Sequence, residues 1–192
     1  MNTNTRIEDA VALYYFDFDL RNILNRYLSH IEVAIRTTMI YELSNKYNNN
    51  PLWFVDPAVV KASFITDFPN KVYKTIKERD VIKRHHRRYP TDVYAPAWKT
   101  MEFMVFGNLT TLYNSLLLND DKRLVSHCHG VTQTNVFFDY IEAVRLVRMF
   151  VLMGMYFLTL TYTLLLVMAL QADLQEQCDT IWAWYLKSLN FC

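Results

Sequence analysis

The chain has 192 residues, a formal net charge of +1, 52% hydrophobic and 15% aromatic residues, and only three Gly and five Pro. That length suits one domain able to bury a core without disulfides, and 20% charged residues with abundant Tyr and Phe exclude disordered, collagen-like and low-complexity chains. Near-neutrality removes any global argument for nucleic-acid affinity, scarce Gly and Pro disfavour a turn-rich sandwich or barrel, and three cysteines form no disulfide framework.

In chain order, residues 1–19 carry Arg6, Glu8, Asp9, Asp17 and Asp19 and no apolar stretch, so they are not a secretory signal. With cysteines that suit a reducing compartment, a cytoplasmic location is expected. Leu20, Ile23, Leu24, Tyr27, Leu28, Ile31, Ile35, Met39 and Leu43 recur at three- and four-residue steps, predicting a helix from about Asp19, as N-cap, to Tyr47. Asn48, Asn49, Asn50 and Pro51 end it. A second helix is predicted over 70–86, with Val72, Tyr73, Ile76 and Ile82 on one face, and a loop around Pro90 and Pro96 follows. A third covers 98–118, interrupted or bent near Gly107, and a short one 120–127. Thr134 caps a last helix with Phe137, Tyr140, Ile141, Val144 and Val147 inward and Arg145 and Arg148 in its last turn. No segment alternates at period two, so the predicted fold is an all-α bundle.

Composition then changes. Residues 149–172 contain no charged residue, whereas the first 148 carry 19 of the 20 Lys and Arg. The chain therefore divides into a body, 1–148, and a hydrophobic tail, 149–192, for which an atypical C-terminal helix is expected. Twenty-four uncharged residues exceed the roughly 20 that span a bilayer. Arg145 and Arg148 before them and Asp173, Glu176 and Asp179 after them suit an inner-membrane anchor with a cytoplasmic N-terminus, and a buried core helix is the other reading.

Three features carry candidate chemistry. Lys83, Arg84, His85, His86, Arg87 and Arg88 are the one dense basic run, suited to phosphates or to a solvated helix end whose cations complement the dipole. His127, Cys128 and His129 resemble metal ligands, but a structural zinc site needs about four and no second cluster exists, so no metal is expected. Glu32 and Arg36, four apart, read as a surface ion pair. There is no glycine-rich phosphate loop, serine elbow or zincin motif.

Residues 20–47 (LRNILNRYLSHIEVAIRTTMIYELSNKY), 51–56 (PLWFVD) and 94–116 (YAPAWKTMEFMVFGNLTTLYNSL) resemble the Abi-like family of bacterial abortive-infection, phage-resistance proteins, with Glu32 and Arg36 in the first motif and Pro96, Trp98, Phe106, Gly107 and Leu109 in the last. The resemblance covers about Leu20 to Arg148. It implies a helical bundle of the HEPN type, a metal-independent endoribonuclease without small-molecule cofactor, RNA as partner (with Lys83, Arg84, Arg87, Arg88 and Arg145 as candidate contacts), and a homodimer. The family motif ends the last bundle helix as Arg, usually Asn, then His a few residues on. The imidazole exchanges protons with a ribose 2′-hydroxyl or the leaving oxygen, and the guanidinium stabilises phosphate charge.

Arg148 matches the motif arginine, but Met149 replaces the Asn and Met153 stands where the His belongs. A thioether transfers no proton, so impaired catalysis is expected. A shifted reading frame after about Arg148 accounts for the break. Codons rebuilt one register away force Val from Met149 and Phe150 and Gly from Met153 and Gly154, and one permitted path reads Arg-Asn-Val-Cys-Ala-His, the family motif. The alternative is a non-enzymatic protein, either a membrane-anchored defence component through 149–172 or an RNA-binding module using 83–88.

Overall fold

A computed structural model describes residues 7–153, and among these no strand is formed. The architecture is all-α, as the periodicity predicts. α1, Ile7–Lys46, runs 40 residues without Gly or Pro. It begins well before Asp19, which lies inside the helix and caps nothing. Its stripe of Leu28, Ile35, Met39 and Leu43 is buried, and it packs on α5, α7 and α8. Turns over 47–49 and at Pro51 end it, and a short 3-10 turn, Trp53–Val55, buries Trp53 and Phe54 completely.

The helix predicted over 70–86 is instead several pieces. α2 is Ala62–Asp67, Phe68–Tyr73 widens into a π-helical stretch, α3 is Lys74–Ile76, and α4, Asp80–Arg88, starts after a break. Pro69 brings no N–H to an α-type ladder, a local reason for the widening. These pieces surround an aromatic cluster in which Phe68 lies 5.2 Å from Phe54, 5.7 Å from Phe64 and 5.3 Å from Tyr94 (ring centroids).

α5, Ala97–Glu102, and α6, Phe106–Ser115, make up the stretch predicted over 98–118, and the expected interruption falls just before Gly107. Two backbone hydrogen bonds of 2.9 Å, Lys61 N–H to Ser115 O and Leu117 N–H to Val59 O, tie the start of α2 to the end of α6. α7 is Asn119–Cys128. It ends in a Schellman motif: Gly130, at φ +74°, donates to His127 O, and Val131 donates to Ser126 O. α8, Thr134–Leu152, buries Phe137, Ile141 and Val151 and runs through Arg148 without interruption. Thr134 is its first residue, with Gln133 in the cap position.

The tail from 154 onward lies outside the described residues, and with it most of the uncharged run. Among the described residues no helix is long and apolar enough to cross a membrane.

Candidate functional site

A charged cluster links α1 to α8. Glu32 is buried. Its Oε1 is 2.5 Å from Arg36 Nη2, one turn along α1, and its Oε2 is 2.7 Å from Arg148 Nη1 on α8. Arg148 Nη1 also lies 3.4 Å from Ser29 Oγ, and Arg36 Nη2 donates to the Met104 carbonyl, 2.7 Å away, just past the end of α5. The helical repeat explains the set: positions 29, 32 and 36 share one face of α1, and α8 lies against it. The pair read from sequence as a surface salt bridge is therefore a partly buried, three-element junction. Two guanidiniums share one carboxylate, so the cluster keeps one unit of positive charge beside a partly exposed Arg148. Such a charge suits an anion, and a guanidinium suits the geometry of phosphate.

Arg145, one turn earlier on α8, does something different. Its Nη2 is 2.8 Å from Glu142, and its Cδ lies 3.5 Å from where a Cβ on Gly107 would sit. The aliphatic part of Arg145 thus lies over α6 at Gly107, at a distance that would leave a Cβ there in ordinary van der Waals contact. Burial pushes the Glu142 carboxyl up, but hydrogen bonds from Arg145 and Thr110 outweigh it and hold the group below the usual carboxylate range.

Met153 closes α8 and is exposed. Lys83, Arg84, Arg87 and Arg88 all point outward from α4, whose inner face buries Ile82 and His85. Trp98 is exposed at the start of α5. His127, Cys128 and His129 do not converge. His129 is buried and stacked on Phe137 at 5.3 Å, whereas Cys128 is exposed, its Sγ near Glu42. Burial drives the His129 imidazole down to about 4, so it is neutral at physiological pH. Among the described residues no group of three His, Cys, Asp or Glu is placed to hold a metal.

The three sequence motifs meet in space. The Pro51 carbonyl accepts the Ala97 N–H at 2.8 Å, joining the second motif to the third, and Arg36 joins the first to the third through Met104. A family model described as Abi-like protein matches residues 1–151. The chain belongs to the Abi-like family. No curated protein and no solved structure matches it. Membership points to abortive infection, a form of phage defence.

Sequence reasoning missed Ser29, whose only signal is its place one turn before Glu32. It also missed Asp121, fully buried, whose carboxylate takes Lys46 Nζ at 2.5 Å and Tyr47 OH at 2.7 Å. Burial first, and Asp121 second, push the Tyr47 phenol above its ordinary range. That group ties the C-terminal end of α1 to α7 and is structural.

Proposed function

We propose that this Abi-like protein acts on RNA in phage defence, with Arg148 as the residue that meets the phosphate and Glu32, Ser29 and Arg36 as the frame that positions it. The observation that carries the reading is the Glu32–Arg148 contact at 2.7 Å within a cluster of net positive charge. It supports a fixed guanidinium at the place where the HEPN pattern has its motif arginine. The remaining motif positions hold Met149 and Met153, neither of which moves a proton. This chain therefore engages RNA without efficient cleavage, and its C-terminal residues correspond to a displaced reading frame.

The test is cleavage of single-stranded RNA in chelator. The chain as it stands should cleave at background. The double substitution M149N and M153H, or the gene returned to the alternative register, should restore metal-independent cleavage that R148A then abolishes. Robust Arg148-dependent cleavage by the unaltered chain would refute the impairment. Inactivity of both repaired forms would refute the ribonuclease assignment.

A further inference from the structure

Residues 71–88 hold eight Lys and Arg against two acids, in a chain whose net charge is +1. Lys71 pairs at 2.8 Å with Asp67, outside this run. Lys83 pairs with Glu78 at 3.0 Å, whereas among the described residues Arg84, Arg87 and Arg88 enter no ion pair. A solvated helix end accounts for cations in the last turn of α4, but not for the aromatic groups that lie among them. Tyr89 is 45% and Trp98 57% exposed. Arg88 lies 5.7 Å from the Tyr89 ring centroid, and Tyr89 packs on His85 at 5.1 Å. The His85 Nδ1 is 3.4 Å from Lys99 Nζ, which sits 4.8 Å from the centre of the Trp98 ring. Cation and ring are thus linked from the end of α4 to the start of α5 through the buried His85, whose Nε2 lies 3.1 Å from Asp92 Oδ2. Two exposed rings interleaved with unpaired cations make a surface for a flexible polyanion with flat, stackable groups.

We propose that this surface is a single-stranded RNA contact additional to the Arg148 cluster, with Arg84, Arg87, Arg88 and Lys99 taking phosphates and Tyr89 and Trp98 stacking on bases. Duplex RNA offers phosphates but no free base faces, so unpaired strands are preferred. An anionic membrane would use the cations without needing ring faces to stack on unpaired bases. The proposal adds a contact to the RNA reading above, and binding rather than cleavage decides it.

The experiment is fluorescence anisotropy of the full chain with a labelled oligoadenylate RNA of about 12 nucleotides, in chelator. W98A should weaken binding roughly ten-fold, and W98F should restore most of it. Substituting Arg87 and Arg88 together by Ala should flatten the slope of log affinity against log salt by about 1.4, the share of two phosphate contacts on a single strand. Duplex RNA of equal length should bind more weakly. Unchanged affinity in W98A, equal or tighter duplex binding, or a loss of binding confined to R148A would overturn the proposal. So would capture of anionic phosphatidylglycerol vesicles without any RNA binding. If W98F-rescued RNA binding persists while motif repair yields no cleavage, this contact stands and the ribonuclease assignment falls.

Discussion

The two halves of α1 are both rich in apolar side chains and are used in opposite ways. From Leu28 to Lys46 the apolar residues fall at steps of three and four, and Leu28, Ile35, Met39 and Leu43 are buried against α5, α7 and α8. From Ile7 to Phe18 they come in clusters, with Tyr14, Tyr15, Phe16 and Phe18 set around the helix rather than along it, and all four are exposed. One continuous helix carries both patterns. Apolar content therefore does not decide which half organises the molecule. Angular spacing and the reach of the neighbouring helices decide together, because a narrow stripe can be covered by neighbours on one side only and its members Ile23 and Tyr27 stay exposed. The same half supplies Glu32, Arg36, Lys46 and Tyr47, so the packed end of the helix is also the end that carries the polar junctions.

The sharpest way to break this contrast is to make the same cut in both halves. L43A removes a fully buried side chain and should cost about 3–4 kcal/mol in chemical denaturation. If it costs under about 1 kcal/mol, the packed half is not the organising half.

Acid gives the next largest effect. His129 lines a cleft with Ile31, Ala34 and Ile35 of the packed half, and its imidazole titrates near 4 when folded, below the ordinary 6.5. The unfolded chain takes up the proton first, so stability present above pH 6.5 is lost as pH falls toward 4, by up to about 3 kcal/mol. Thermal unfolding against pH should show that slope, and H129F should flatten it. An identical slope in H129F would place the acid sensitivity elsewhere.

E32Q leaves Arg36 and Arg148 without their shared counter-charge. It should cost about 1–2 kcal/mol, the guanidiniums being partly solvated. A double-mutant cycle with R148A measures the share that belongs to the α1–α8 contact, and a coupling near zero would mean that the contact positions nothing. Smallest of all is L13A in the exposed half, expected within about 0.5 kcal/mol of the parent. A loss comparable to that of L43A would erase the distinction between the halves.

Much of the fold was legible because a helical stripe is a local signal: α1 from about Asp19 onward and α8 were read from spacing. The start of α1 was not, because Asp19 makes a good cap in isolation and nothing local says that the twelve residues before it are also helical. The stretch from Ala62 to Arg88 failed for a different reason. Its interruptions at Pro69 and at Lys77 to Arg79 follow from a backbone wrapped around the Phe54, Phe68 and Tyr94 rings, which lie far apart in sequence. At the site, Glu32, Arg36 and Arg148 were each named from sequence. Their convergence was not readable, since the i, i+4 pair looks complete without a third member. Nothing in the neighbourhood of Gly107 in the sequence points to Arg145 as the group lying over it.

The pairing of α1 with α8 also sets a timetable. Leu43 leaves the ribosome about a hundred residues before Ile141, which at 5–20 residues per second is roughly 5–20 s of synthesis. Through that interval the stripe of the packed half has no α8 to lie against, although α1 can already be helical. The nascent chain therefore presents a long helix, apolar on both halves, as a target for chaperones before either its Glu32 junction or its core can close.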